Sequence, residues 1–109
     1  MKKFIALVAL LTVAASSGFA AAAAENWDNN CTKCHGADGS ASGKMGQKLK
    51  LKDYTNAAVQ AGLKDEDMVK AIKDGVQDAN GKDRMKGFKD DLSDAEVTDL
   101  VAYIRKFKK

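Results

Sequence analysis

The sequence predicts an all-α fold in which three to four short helices are separated by two long loops. Apolar residues recur at helical spacing in several segments, which indicates amphipathic helices. No segment alternates apolar and polar residues in the manner of a half-buried strand. Two stretches between the helical segments are rich in glycine, which favours loops over regular structure.

The N-terminal segment has the order of a secretory signal peptide. A basic start at residues 1–3 precedes an almost unbroken apolar run over residues 4–13, and residues 14–24 are rich in alanine, serine and glycine. The apolar run is shorter than the roughly 20 residues that a membrane-spanning helix needs, so we expect cleavage rather than a retained anchor. Small residues permit a cut after Ala20 or Ala24, and the later cut makes 1–24 the signal peptide.

Residues 25–109 then form the mature protein as one small domain. Such a domain buries little core and commonly needs a disulfide, a metal or a cofactor for stability. Loss of Lys2 and Lys3 leaves 16 of the 18 basic residues against 15 acidic ones. The mature protein is therefore near neutral, which argues against nucleic-acid binding. We expect a periplasmic monomer with no membrane span after cleavage.

The first helix of the mature chain is predicted over residues 25–34. Trp27, Cys31 and Cys34 are spaced at i, i+4 and i+7, so they share one face of this helix. Residues 35–52 follow with glycine at several positions, which predicts the first long loop.

Two further helices are predicted in the middle of the chain. A short helix covers residues 56–61, with Thr55 as its N-cap. A clearer helix covers residues 65–74, because apolar residues mark one face, acids occupy the first turn and Gly75 suits the C-terminal stop. Residues 77–92, punctuated by further glycines, are predicted as the second long loop.

The last helix begins with a capping box. Ser93 and Glu96 lie three apart, so each can satisfy a free backbone N–H at the start of the helix. The apolar residues that follow recur at helical spacing: Val97, Leu100, Val101, Ile104 and Phe107. Two long glycine-rich loops are unusual in so small a domain, and we expect them to surround a group that is not protein.

Residues 31–35 form a C-x-x-C-H sequence, which is the attachment signature of c-type haem. On one helical turn Cys31, Cys34 and His35 face the same side. The two thiols can add to the two haem vinyl groups to give thioether links, and His35 can bind the iron from that side. We therefore predict one covalently attached haem c with its iron.

Other interpretations of this motif fit less well. A redox-active disulfide of the thioredoxin type needs a βαβ pattern, and none is visible. A zinc site needs four nitrogen or sulfur ligands, but the chain has two cysteines and one histidine. A structural disulfide would leave His35 unexplained. The export segment and the single histidine together favour haem.

Three methionines of the mature chain are candidates for the sixth iron ligand. Met85 is preferred because it lies in the second loop, far enough along the chain to reach the opposite haem face. Met45 in the first loop is the alternative, and Met68 on an apolar helix face is expected to pack in the core. Two protein ligands would leave no open coordination position, which favours electron transfer over catalysis. We predict no catalytic residue.

The chain resembles the small class I c-type cytochromes of bacterial periplasms over nearly all of residues 25–109. The segments that carry the resemblance are 31–39, 85–88, 92–96 and 100–104. The resemblance implies a cytochrome c fold, in which the first and last helices cross beside the haem. It also implies that Cys31 and Cys34 form the thioethers, that His35 is the proximal ligand and Met85 the distal one, and that the protein carries electrons.

The chain departs from the family in having no proline. Family members usually have a proline after the ligand methionine, where this chain has Lys86. They also have a proline in the first loop whose carbonyl orients the proximal imidazole. Here we expect the orienting carbonyl to come from residues 44–48.

Basic residues are concentrated in the two loops. Residues 44–52 carry four lysines and no acid, residues 82–89 carry four basic residues broken only by Asp83, and residues 90–99 form an acidic stretch. Such an uneven distribution raises the rate of encounter with oppositely charged partners and is screened by salt. We expect redox partner proteins, a donor and an acceptor, to dock at this lysine-fringed haem edge.

Two other functions stay open. A haem enzyme or gas sensor would need an empty or weakly held sixth coordination position. A small subunit of a larger oxidoreductase is compatible with the same sequence features.

Overall fold

The computed structural model describes residues 18–109 of the chain. Six helices and one short hairpin are present within this range. In chain order they are α1 Gly18–Asn30, α2 Thr32–His35, α3 Lys44–Lys48, α4 Ala57–Gly62, α5 Asp65–Asp74, β1 Val76–Gln77, β2 Asp83–Met85 and α6 Asp94–Arg105. The all-α prediction is confirmed, although the helices are more numerous than the three to four expected.

The core lies where α1 packs across α6 and α5 packs beside α6. Trp27 on α1 is 1% exposed, and Val97 and Leu100 on α6 are 0% and 1% exposed. Burial of each such side chain contributes about 1.5–3 kcal/mol. The Asn26 side chain donates to Glu96 Oε2 at 3.0 Å, which joins the two helices near the start of α6. The apolar stripe predicted for the last helix is therefore the surface that α1 covers.

The N-caps of two helices can be compared with those that the sequence predicts. The capping box of α6 is present, since Glu96 N donates to Ser93 Oγ at 3.1 Å and Ser93 N donates to Glu96 Oε1 at 3.0 Å. The cap of α4 is Asn56 and not Thr55, because Asn56 Oδ1 accepts from the N–H groups of two residues in the first turn. Thr55 Oγ1 instead donates to Asp53 Oδ1 at 2.6 Å.

The start of the mature chain differs from the prediction of one helix over residues 25–34. α1 begins at Gly18 and ends at Asn30, and a separate short helix, α2, carries the second cysteine and the histidine. The break falls at Cys31, whose φ of −121° departs from helical geometry. Residues 1–17 of the predicted signal peptide lie outside the described residues.

Both predicted loops contain short regular elements. The first includes α3, and the second folds into an antiparallel hairpin of β1 and β2. Asp78 Oδ1 accepts from Asn80 N and Lys82 N and so shapes the hairpin turn, in which Gly81 has a φ of +78°. An Asn-Gly pair is a recognised hairpin signal, but two- and three-residue strands are too short to show alternation.

Within residues 18–109, no helix has both the length and the apolar character that crossing a membrane requires.

Candidate functional site

An apolar cleft lies among α1, α2, α5 and α6. It holds about 420 Å³ of empty space, part of it continuous with solvent. The residues that line it are Trp27, Cys31, His35, Tyr54, Met68, Ala71, Ile72, Met85, Leu100 and Ile104. Apolar walls with few polar atoms suit a large apolar cofactor held by specific donor groups.

His35 is a neutral imidazole held between two aromatic rings. Burial lowers its pKa below the ordinary value, so the uncharged form is favoured. The ring is stacked on Tyr54 with centroids 5.5 Å apart and lies 5.6 Å from the Trp27 ring. Trp27 is itself fixed, because its Nε1 donates to Gly36 O at 3.0 Å. The ring of His35 is therefore presented to the cleft in a defined orientation.

The Nδ1 atom of His35 is buried and has no hydrogen-bond partner among the described residues. A buried polar atom without a partner costs about 1–3 kcal/mol and needs a structural explanation. The carbonyl expected from residues 44–48 does not supply this bond in the structure, even though that segment forms α3. The ring lines the cleft, and a neutral imidazole is suited to coordinating a metal through one of its two nitrogens.

The two cysteines of the motif are free thiols. Cys31 is buried at the break between α1 and α2 and lines the cleft, whereas Cys34 on α2 is half-buried and does not line it in this structure. Burial, followed by the neighbouring Cys34, raises the pKa of the Cys31 thiol to about 11. Cys31 is thus present as the neutral thiol, and the structure leaves both sulfurs available for covalent attachment.

The preferred ligand, Met85, and its alternative, Met45, lie in different surroundings. Met85, at the end of β2, is half-buried, packs against the core and lines the same cleft as His35. Met45 on α3 is 38% exposed and does not line the cleft. Of these two candidates, only Met85 shares the cleft with the histidine.

The backbone around Met85 is fixed against the end of α5. Met85 pairs with Val76 across the hairpin. Beyond the hairpin, Phe88 N donates to Ile72 O at 2.8 Å, and Lys89 N donates to Lys73 O at 3.2 Å. These bonds hold the segment that follows Met85 against α5.

The comparisons with known proteins agree with this site. A family model described as cytochrome c oxidase, cbb3-type, subunit III matches residues 18–104. The chain belongs to this family of c-type cytochromes. Two solved structures are similar to it. The KustC0563 c-type cytochrome is 31% identical, with a TM-score of 0.68 and coverage of 80% of this chain and 98% of that chain. A tyrosine-to-phenylalanine mutant of that protein is 30% identical, with a TM-score of 0.65 and coverage of 79% of this chain and 98% of that chain. No curated protein matches the chain.

Family membership confirms the predicted cytochrome c fold and the covalently bound haem c with its iron. The residues of this cytochrome fit that group. Two free thiols, a neutral imidazole with an unsatisfied nitrogen and a thioether meet at or beside one apolar cleft. Cys31 and Cys34 would hold the haem covalently, and His35 and Met85 would bind its iron.

A second methionine of the cytochrome also faces the cleft. Met68 is 7% exposed and belongs to the core, as the sequence predicts, but it lines the cleft as well. Sequence reasoning placed Met68 only in the core. The spacing of Met68, Ala71 and Ile72 at i, i+3 and i+4 was the signal that all three face the same space.

The two basic loops of the cytochrome meet. The Arg84 side chain, in the loop that carries Met85, donates to the carbonyl of Leu49 in the first loop. The four lysines of residues 44–52 and the basic residues of 82–89 are all exposed. The basic residues of both loops are therefore exposed, and one of them, Lys86, pairs with Asp91 Oδ2 at 3.0 Å.

Proposed function

We propose that this cytochrome is an exported, soluble electron carrier with a single haem c. Its haem is attached to Cys31 and Cys34, and its iron is coordinated by His35 and Met85. The observation that carries the proposal is the position of Met85 in one apolar cleft with His35. An iron with two protein ligands exchanges electrons without binding a substrate.

The chain's own residues set the conditions for this exchange. Bound haem supplies a one-electron couple at its iron. His35 presents the neutral imidazole that iron ligation needs, because burial lowers its pKa. The Met85 thioether favours the ferrous state and so raises the reduction potential relative to a second histidine. The buried side chains of Trp27 and Leu100 form apolar parts of the cleft wall, and an apolar environment around the iron also tunes the potential.

The basic surface formed by residues 44–52 and 82–89 is proposed as the docking site for acidic redox partners. The Arg84 to Leu49 bond joins its two parts next to the loop that carries Met85. Complementary charge mainly raises the encounter rate and loses its effect as salt is added. Electron transfer to an acidic partner is expected to slow with rising ionic strength, and a rate independent of salt would contradict this docking mode.

Export to the periplasm completes the proposal. The N-terminal segment, ending at Ala20 or Ala24, has the features of a signal peptide. Expression of the full chain fused to a periplasm-specific reporter tests this step, with the K2E/K3E variant as the comparison because it removes the basic start. Full reporter activity after deletion of residues 1–17 would argue against export by this segment.

Visible spectroscopy of the purified mature protein tests the haem and its ligands. We expect a thioether-linked haem by pyridine haemochrome, a mass equal to the chain plus one haem, and a methionine-to-iron charge-transfer band in the oxidised state. The reduced protein is expected not to bind carbon monoxide at neutral pH. Ready binding of carbon monoxide would favour a haem enzyme or gas sensor instead.

Cysteine variants locate the covalent links. C31A/C34A is expected to yield a chain without attached haem, because both thioether sulfurs are gone. K33A is the matched control, since the exposed Lys33 lies between the two cysteines and its loss leaves both thiols in place. Haem that stays attached through denaturation in C31A/C34A would place the links elsewhere.

A second candidate function is supported by the family description. The matching family model is that of subunit III of a cbb3-type cytochrome c oxidase. The same domain would then pass electrons within an oxidase complex rather than between separate proteins. Purification of the tagged chain under native conditions distinguishes the two, because a subunit co-purifies with oxygen-reducing activity and a free carrier elutes as a small monomer.

A further inference from the structure

Two methionine side chains, Met68 and Met85, line the cleft that also holds His35. The proposed function uses only one of them. Met68 is more deeply buried, at 7% exposure, while Met85 is half-buried. The cleft therefore contains one thioether more than the proposed ligand set requires.

The local structure gives Met68 access to the cleft. Met68, Ala71 and Ile72 lie one turn apart on the same face of α5, and all three line the cleft. Ala71 has only a methyl group, so little side chain fills the space beside Met68. Methionine is unbranched and has three rotatable side-chain bonds, which lets its sulfur take up several positions in a gap.

The helix that carries Met68 is also held by a contact that does not involve Met85. It lies on α5, whose first residue, Asp65, accepts from Arg105 Nη2 of α6 at 2.8 Å. Met85 lies on the hairpin that follows α5 and is paired with Val76. Loss or displacement of the Met85 side chain therefore leaves the backbone that carries Met68 in place.

We propose that Met68 is a reserve thioether ligand, which binds the haem iron when Met85 is removed or displaced. The proposal rests on the proposed function, because it requires a haem iron coordinated by His35 in this cleft. One neutral thioether replaces another, so no electron or proton is transferred in the exchange.

The test compares holoprotein variants by the methionine-to-iron charge-transfer band and by carbon monoxide binding to the reduced state. M85A is expected to retain the band and to resist carbon monoxide. M68L alone is expected to resemble the wild type, because Met85 still binds. M85A/M68L is expected to lose the band and to bind carbon monoxide readily. M45L is the matched control, since Met45 lies outside the cleft and its loss changes neither readout.

Three outcomes overturn the reserve role. If M85A loses the band and binds carbon monoxide as readily as M85A/M68L, Met68 does not ligate, and the proposed function stands. If M85A/M68L keeps the band, the replacement ligand is another methionine. If M68L alone loses the band, Met68 is the resting ligand, and the assignment of Met85 fails as well.

A wild-type protein that lacks the band contradicts the proposed function itself, so the two failures are distinguishable. M85L preserves most of the side-chain volume and replaces M85A where the smaller residue prevents folding. The same readouts then apply to M85L and M85L/M68L.

Discussion

The backbone of Gly75 lies directly against the carbonyl oxygen of Met85, at a position where a Cβ atom would collide with that oxygen. Gly75 ends α5 with a φ of +78°, and the next residue, Val76, pairs with Met85. Gly87 makes a similar approach on the other side, since a Cβ there would lie 2.6 Å from Lys73 O. Two glycines thus let the strand that carries Met85 lie flat on the end of α5.

Substitution G75A is expected to destabilise the folded protein more than the substitution G81A. Gly75 and Gly81 both have a φ of +78°, but a Cβ at Gly81 would have no neighbour within 4 Å. G81A therefore carries only the backbone cost of a left-handed conformation, about 1–2 kcal/mol. Gly75 has a ψ of −176°, a conformation essentially restricted to glycine, so G75A adds further backbone strain. It also displaces the Met85 strand, at a packing cost of about 1–3 kcal/mol. Urea unfolding of both variants measures the difference, and equal losses would mean that the close approach is not maintained in solution.

The substitution Q60A is expected to lower the free energy of unfolding by about 1–3 kcal/mol, because it leaves the Tyr54 carbonyl without its side-chain donor, whereas Ile104 O keeps a bond from Phe107 N. Gln60 is 4% exposed, and its Nε2 donates to Tyr54 O and to Ile104 O, each at 2.8 Å. Gln60 Oε1 also accepts from Arg105 Nη1 at 3.1 Å. This network joins α4 and α6 to the segment that carries the Tyr54 ring.

The matched control for Gln60 is Q47A. Gln47 is exposed and donates one side-chain bond, to Ser42 O at 2.8 Å. Surface substitutions of this kind change stability by about 0.5 kcal/mol or less. Chemical denaturation of both holoproteins tests the comparison, and a loss for Q60A no larger than that for Q47A would show that the buried network contributes little.

Local sequence patterns predicted those features whose interacting residues lie close together in the sequence. The capping box needs only Ser93 and Glu96, and the haem motif needs only residues 31–35. The cap of α4 is an exception. Thr55 and Asn56 are both suitable caps, but the Thr55 hydroxyl donates to the Asp53 carboxylate, and Asn56 caps the helix. Competition between adjacent polar residues is a local effect that residue preferences alone do not resolve.

The parts that the sequence did not predict depend on contacts between distant segments. Met85 was preferred from its position in the second loop, but the hairpin that brings it to the cleft was not predicted, because neither strand is long enough to show a period of its own. Met68 was assigned to the core because an apolar helix face predicts burial but not which buried residues border a cavity. Its second role becomes visible only once Ala71 and His35 are placed beside it.

The folded domain favours the earlier of the two signal cleavage points. α1 begins at Gly18, and Ala23 is 3% exposed within it. Cleavage after Ala20 retains Ala23 in the helix, whereas cleavage after Ala24 removes it. We therefore expect the mature protein to begin at residue 21. Intact mass measurement decides between the two cleavage points, because their mature products differ by residues 21–24, which are all alanine. A mature chain that begins at Glu25 would show that the domain does not need the first turns of α1.

Glu96 is expected to make stability fall when the pH is lowered into the acid range. Hydrogen bonds from the Ser93 backbone and from the Asn26 side chain hold the pKa of this carboxyl below its ordinary value of 4.5. The charged carboxylate therefore stabilises the folded state fully above pH 4.5, and this contribution is lost as the pH falls through the lower folded-state pKa. E96Q keeps an acceptor for Ser93 N but cannot ionise, so its free energy of unfolding should fall less than that of the wild type over this range.

Urea unfolding at a series of pH values measures how the free energy of unfolding of each protein changes with pH. E66Q is the control, because Glu66 also occupies the first turn of a helix, α5. If E96Q and the wild type lose stability in parallel, the capping carboxylate is not the group that responds to acid.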